Sequence, residues 1–375
     1  MTSEIRCRNL DAIPEFLESD RVFEGIYMAR QYITEVPQRA FKHLKTRKIV
    51  LNFNPISEKL SVGALEGLGA YLRELYLGRC QIRSLPEGLL TSLQELTYLH
   101  LWGNHIRRIP PGFFKYAPNL RELVLWGNEL EVLDRDTFAG LWMLRRLDLD
   151  KNRISALDKE VFRHLSNLQV LYLGENHIRT VYPETFTYMK SLRVLNLDGN
   201  GLGYFSNRSF EGLGKLLSLN LQDNQVSYIP TDSLAILENV TELWLTNNQL
   251  DLLWPNTFKG LRSLHQLHLS KNRLRTLPDN VFRHSPRLRY LYVENNHLAT
   301  LKRCILAKHA KLRTLSLIGN PIECDCRMAW VVDMYWTRGP MAFWGTCGMD
   351  GNSSAPSRLE RDATCQNEPQ SQCKH

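Results

Sequence analysis

The chain has 375 residues, of which 43% are hydrophobic, 10% aromatic and 23% charged, with a formal net charge of +8. That balance excludes a mostly disordered or collagenous chain, and no stretch approaches the roughly 18 apolar residues that would span a bilayer. The charge is compatible with acidic partners such as sulfated glycans, nucleic acid or anionic cell surfaces, and demonstrates none of them. One count is out of proportion: 62 residues are leucine, spread from Leu10 to Leu359. Such a surplus without a long apolar run points to one small pattern used many times, not to two or three ordinary domains.

The opening residues, Met1 to Cys7, lack the apolar core of a secretory signal, which leaves a cytosolic chain or a mature ectodomain with a new start. From Phe23 to Asn320 the sequence repeats itself. The pattern LxxLxLxxNxL runs Leu96, Leu99, Leu101, Asn104, Ile106, and recurs as Leu120, Leu123, Leu125, Asn128, Leu130. The asparagines continue at intervals of 24 residues through Asn152, Asn176, Asn200, Asn224, Asn248, Asn272 and Asn296 to Asn320. Gln31, Asn54 and Cys80 hold the same slot in the first rungs, so thirteen rungs can be placed.

Each Leu-x-Leu alternation predicts a short strand with one face buried. The ninth-position asparagine is expected to donate its amide to a neighbouring rung and to accept a backbone N–H of its own turn. Phe114, Phe138, Phe162, Phe186, Phe210, Phe258 and Phe282 share one offset in the second half of the unit and predict a stacked apolar spine. No rung can bury its face alone, so stacking makes the core and the ends need caps.

This resembles the leucine-rich repeat family in the 24-residue form common in extracellular proteins. The resemblance implies an α/β fold: a horseshoe-shaped solenoid with a parallel concave β-sheet of about 13 rungs and a protein-binding role. It divides the chain into a partial N-terminal cap (1–22), the repeats (23–320) and a cysteine-rich C-terminal cap (321–375). The run Cys324-Asp325-Cys326, followed by Cys347 and Cys365, is similar to the cap of Slit proteins, Toll-like receptors, the Nogo receptor and variable lymphocyte receptors. That likeness implies the pairs Cys324–Cys347 and Cys326–Cys365, although four cysteines by themselves allow three connectivities. A zinc site is the competing reading, disfavoured because structural zinc usually takes wider cysteine spacing. Disulfides place the chain outside the cell. Cys7, Cys80, Cys304 and Cys373 are unassigned, with Cys304–Cys373 one option. By analogy with the lymphocyte receptors, residues 338–354 are expected to project as a loop. Sequons at Asn207, Asn239 and Asn352 fit the same compartment as glycosylation sites.

Fifth-position residues point out of the concave sheet and hold whatever specificity exists. Tyr76, Tyr98 and His100 join the seventh-position Trp102 and Trp126 in one aromatic patch, and Trp244, His268, Tyr290 and Tyr292 form a second. Between them run Asp148, Asp150, Glu175, Asp198 and Asp223, an acidic strip suited to a basic partner or a cation, with Tyr172 at a fifth position among them. Basic residues at Arg39, Lys42, Lys45, Arg47 and Lys48, and at His105, Arg107 and Arg108, make heparan sulfate a candidate ligand. His265 and His268 alternate across a pleat and do not make a metal pair. No nucleophile elbow, phosphate-binding loop or zinc-protease motif is present, so no catalytic residue, metal or cofactor is expected. Nucleic acid is disfavoured because the aromatics are expected to sit beside acid. The expected partner is a protein or a microbial surface glycan, bound by a secreted or cell-surface ectodomain. Innate immunity, or adhesion and guidance of the Slit or Nogo-receptor type, would be its setting, with any membrane attachment outside this chain.

Overall fold

The computed structural model of the chain describes residues 4–306 and 309–323 together with the strand Ala342–Trp344. It contains two compact units, the first ending at Asn196 and the second starting at Leu197. The first unit lays down its strands in sequence order, all parallel: Glu4–Arg6, Gly25–Tyr27, Lys48–Val50, Glu74–Tyr76, Tyr98–His100, Glu122–Val124, Arg146–Asp148, Val170–Tyr172 and Val194–Asn196. The second does the same with Ser218–Asn220, Glu242–Trp244, Gln266–His268, Tyr290–Tyr292, Thr314–Ser316 and Ala342–Trp344. Each unit is a parallel β-solenoid, and the thirteen expected rungs are all present.

Three residues per strand suffice because the alternation needs only one buried side chain. The central residue of each strand, such as Ile49, Leu99, Leu171 or Leu267, is wholly or almost wholly buried, while its two neighbours are mostly half-buried. Two further strands exceed the repeat. Glu4–Arg6 pairs with Gly25–Tyr27, extending the sheet before Phe23. Ala342–Trp344, within the segment expected to project as a loop, pairs with Thr314–Ser316, and the rest of that segment lies outside the described residues.

The asparagine ladder forms, with one correction. Asn104 donates Nδ2 to Leu77 O of the preceding rung and to Leu101 O of its own, both at 2.8 Å. Its Oδ1 accepts from Cys80 N–H at 2.8 Å and Ile82 N–H at 3.1 Å, amides of the preceding rung and not of its own turn. The acceptor role thus ties rungs together, because the amides left over by each bend face the next asparagine. The two carbonyl bonds and the bond equivalent to Ile82 N–H recur at Asn128, Asn152, Asn224, Asn248, Asn272, Asn296 and Asn320. Cys80 fills the slot as a free, buried thiol donating to Leu51 O at 3.2 Å. It can do without an acceptor because Ile56 N–H of the preceding rung already bonds Asn54 O at 2.9 Å.

The phenylalanine spine is also present. Phe114, Phe138, Phe162 and Phe186 stack at centroid distances of 6.5, 6.3 and 6.0 Å, and Phe258 stacks on Phe282 at 5.7 Å. Buried Leu234 takes the slot between Phe210 and Phe258.

The α/β expectation needs correcting: there is almost no helix. Among the described residues the return segments are turns and irregular chain, apart from the two-residue strands Thr180–Val181 and Tyr204–Phe205, one 3₁₀ turn at Phe113–Tyr116 and one short helix at Arg303–Leu306. Their amides bond carbonyls three residues back, as Phe113 N–H does to Pro110 O and Leu141 N–H to Phe138 O. So short a segment closes too few bonds to offset helix nucleation, and Gly140, at φ 92°, turns the chain back toward the sheet. The expected pairs Cys324–Cys347 and Cys326–Cys365, the Cys304–Cys373 option and the sequon at Asn352 all involve positions outside the described residues.

Candidate recognition surface

The fifth-position side chains of the first unit form a connected network on the outward face of the strands. Tyr76 and His100 meet edge to face at 4.6 Å. Tyr76 donates its hydroxyl to Glu74 at 3.0 Å, and Lys48 stands 4.8 Å above its ring. Burial, with Glu74 adding to it, pushes the Tyr76 phenol up to about 12. His100 Nε2 lies 3.1 Å from Glu122, and burial holds the imidazole below its ordinary value although Glu122 pulls the other way. Arg146 covers the Tyr172 ring at 4.7 Å and reaches Asp148 at 3.7 Å. Desolvation raises the Asp148 carboxyl. Tyr98 opens the same strand as His100 and is 37% exposed.

Trp102 and Trp126 lie past the strands, where each rung bends, and their centroids are 5.9 Å apart. The sequence reading groups them with Tyr76 and His100, but their ring contacts run elsewhere. Trp102 packs edge-on against Phe53 at 5.5 Å. Arg30 and Arg79 lie 4.9 and 5.9 Å from the Phe53 centroid, Arg79 also covers Trp102 at 5.6 Å, and Lys151 covers Trp126 at 5.7 Å. These rings therefore sit beside base, which corrects the expectation that they sit beside acid. Phe53, Trp126, Arg79 and Lys151 line a groove of about 710 Å³.

Two backbone features build this patch. Gly78 is needed under Trp102: a Cβ there would fall 2.3 Å from the indole Nε1, so only glycine lets the ring lie across the rung. Arg30, Phe53, Arg79 and Lys151 occupy the residue just before the ladder slot, which is left-handed in each (φ 57°, 63°, 52° and 54°). Glycine holds that position at Gly103 and Gly127. Sequence reasoning missed Arg30, Phe53, Arg79 and Lys151. The position before the ladder slot, with its bulky residues where glycine is easiest, was the available signal.

In the second unit Trp244, His268 and Tyr292 stack face to face on three successive strands, at 3.7 and 4.6 Å with interplanar angles of 4° and 12°. Burial pushes the His268 imidazole down to about 4. Tyr290 opens the Tyr292 strand and is not part of the stack.

The acidic residues are engaged locally. Asp148 accepts from Asp150 N–H at 3.2 Å, Asp150 accepts from Gly174 N–H at 2.5 Å, and Glu175 pairs with Lys151 at 3.1 Å. Asp223 accepts from Asn247 and Gln222 at 2.6 and 2.7 Å. Most of the expected basic cluster is likewise partnered: Arg39 with Glu66, Lys45 with Asp20, Arg47 with Glu24 and Lys48 with Glu74. Glu129 alone receives His105, Arg107 and Arg153. No cluster of metal-ligating residues occurs among the described residues, and no described helix is long and apolar enough to cross a membrane. Asn207 and Asn239 are exposed, and Asn239 Nδ2 donates to Gly214 O at 2.7 Å.

Residues 94–154, 143–202 and 238–298 match the family model for the leucine-rich repeat. The rungs within those ranges carry the leucine-rich repeat pattern. Solved structures agree at the level of the fold. A leucine-rich repeat protein of Leptospira interrogans superposes with a TM-score of 0.66 at 24% identity, covering 83% of this chain and 82% of that one. The leucine-rich repeat domain of FLRT2, in an octameric complex with Latrophilin 3 and Unc5D, gives 0.66 at 23% identity over 86% and 90%. TLR13 in complex with an ssRNA gives 0.60 at 24% identity over 82% of this chain, which spans only 55% of the TLR13 chain. No curated protein sequence matches significantly. A leucine-rich repeat solenoid is typically a binding scaffold without catalytic activity.

Proposed function

We propose that this chain is an extracellular recognition module that binds a protein ligand through the outward side of its repeats. The observation that carries the reading is the Phe53–Trp102–Trp126 patch: large rings on neighbouring rungs, partly open to solvent and bordering a groove. Aromatic side chains with arginine are the composition of binding hot spots, and patches of this kind on a soluble surface usually mark an interaction site. The Tyr76–His100–Tyr172 face and the Trp244–His268–Tyr292 stack are proposed as secondary contact areas of the same kind. Secretion or cell-surface display is supported by the cysteine spacing, with Cys324–Cys347 and Cys326–Cys365 as the proposed disulfides. Asn207, Asn239 and Asn352 are proposed glycosylation sites; modification of Asn239 requires release of its bond to Gly214.

An adhesion or guidance role is the second reading. It is favoured by the FLRT2 likeness, which covers nine-tenths of that chain, solved in a complex with Latrophilin 3 and Unc5D. Innate immunity, with a microbial surface ligand, is the other setting for the same binding chemistry. The test is a screen of the full chain against arrays of cell-surface proteins and microbial glycans, repeated with Trp102→Ala/Trp126→Ala. A partner whose binding falls at least tenfold in the double variant supports the reading. A partner bound equally well by both forms removes this patch as the site.

A further inference from the structure

The patch just described carries a chemistry of its own, and the inference here rests on the proposed recognition role. Arg30 and Arg79 lie against the Phe53 ring, at 4.9 and 5.9 Å, and no carboxylate among the described residues pairs with either guanidinium. Most other basic residues around them are neutralised: Lys48, Lys151 and Arg107 each have a carboxylate within 3.2 Å. The sole acidic residue lining the groove, Glu129, already engages His105, Arg107 and Arg153. The surface next to these arginines is therefore positive and has donors to spare.

Holding the cluster in place has a cost. Arg30, Phe53 and Arg79 are three consecutive rungs in the left-handed region, where a bulky residue is disfavoured by on the order of 1 kcal/mol or more. Glycine holds the same position at Gly103, Gly127, Gly199 and Gly319, whereas Lys151, Glu175, Asp223, Asn247, Lys271 and Asn295 keep the left-handed backbone there. In these three rungs that backbone presents an arginine, a ring and a second arginine side by side.

We infer that Arg30, Phe53 and Arg79, with Trp102 and Trp126 beside them, form a site for an acidic, extended peptide segment carrying an aromatic or aliphatic side chain between carboxylates. The geometry selects this class. Two rungs are about 10 Å apart, and carboxylates three residues apart on a peptide extended as a polyproline II helix lie on one edge about 9 Å apart, so each meets one guanidinium fork. The apolar residue between them lies against the Phe53 and Trp102 edges. A single-stranded nucleic acid needs open ring faces on which bases stack, but Arg30, Arg79 and Lys151 already cover the faces of Phe53, Trp102 and Trp126.

The test is fluorescence anisotropy of the full chain with a labelled peptide, Gly-Ser-Asp-Phe-Gly-Asp-Ser-Gly, at 50 and 300 mM salt. Its Asp→Asn counterpart, a heparin octasaccharide and a deoxythymidine 12-mer are run in parallel. Arg30→Gln and Arg79→Gln should each weaken the acidic peptide at least tenfold, and the Asn peptide and higher salt should weaken it similarly. Unfolding midpoints and the near-ultraviolet spectrum of both variants check that the patch survives. Tighter binding of heparin or the oligonucleotide than of the peptide overturns the inference, as does peptide binding unchanged by both glutamines. If an array partner depends on Trp102 and Trp126 while the acidic peptide does not bind, the recognition role stands and this ligand class falls.

Discussion

Replacing Asn152 by alanine should be far more damaging than replacing Cys80, although the two occupy equivalent slots. Asn152 is 5% exposed, and its Oδ1 accepts Leu130 N–H at 3.0 Å. Its Nδ2 donates to Leu125 O and Leu149 O, each at 3.0 Å. Both carbonyls keep a second donor after the substitution, because Asn128 also bonds Leu125 O and Asn176 also bonds Leu149 O. Leu130 N–H keeps none. One orphaned buried amide costs about 1–3 kcal/mol and two lost shared bonds add roughly 0.5–1 kcal/mol each, so Asn152→Ala should cost about 2–5 kcal/mol. At Cys80 only weak thiol bonds to Leu51 O and Gly78 O disappear, and Leu51 O still receives Asn54 Nδ2 at 2.8 Å. Cys80→Ala should therefore cost about 1 kcal/mol or slightly more, most of it lost packing. Urea titration gives the ranking, and native-state hydrogen exchange gives the site: the Leu130 amide should lose protection in Asn152→Ala. A cost under about 1 kcal/mol, or a Leu130 amide protected as before, would refute the assignment of the acceptor role to the preceding rung.

Phe138→Ala removes a wholly buried ring stacked between Phe114 and Phe162 and should cost about 3–5 kcal/mol. Phe138→Leu, which copies Leu234 in the same slot, should cost clearly less, and denaturant melts of the pair decide it. Gly78→Ala places a methyl group against the Trp102 indole and should shift tryptophan emission and near-ultraviolet dichroism; an unchanged spectrum would show that the ring does not lie over Gly78. His268 has its folded pKa lowered to about 4 from 6.5 by burial. The unfolded chain therefore binds the extra proton, and this contribution to stability is complete above about pH 6.5 and lost as pH falls toward 4. His268→Phe, which keeps a ring between Trp244 and Tyr292, should lose less stability between pH 7 and 5 than the parent; equal losses in urea melts at both pH values would exclude His268 as the titrating group.

Much of the fold was legible because the repeat uses each kind of residue for one purpose. A leucine every second residue can only be a half-buried strand, and an asparagine every 24 residues can only be serving backbone groups at a bend. Phenylalanines at one offset had to meet when rungs stacked. The return segments were not legible in the same way. Turns and short helices bury the same Phe and Leu positions, and only the paths of their amide bonds separate the two. Glu4–Arg6 and Ala342–Trp344 escaped notice because neither carries the Leu-x-Leu signature, and a strand that adds to a preformed edge needs little signal of its own.

The candidate site divides along the same line. Trp102 and Trp126 stood out as large aromatics at a variable position, and Trp244 with His268 and Tyr292 as rings at one period. Their neighbours could not be assigned from the period alone. Whether Arg79 reaches across to Phe53 and Trp102, or pairs with a glutamate as Arg39 does, depends on side-chain paths over adjacent bends. What the sequence by itself determined is the unit: rung length, strand position, ladder and spine, since each follows from periodic burial of identical side chains. What only the tertiary structure decided is the surface: which charges cancel and which arginines are left over, because those outcomes are set by distances of a few ångströms between residues one or two rungs apart.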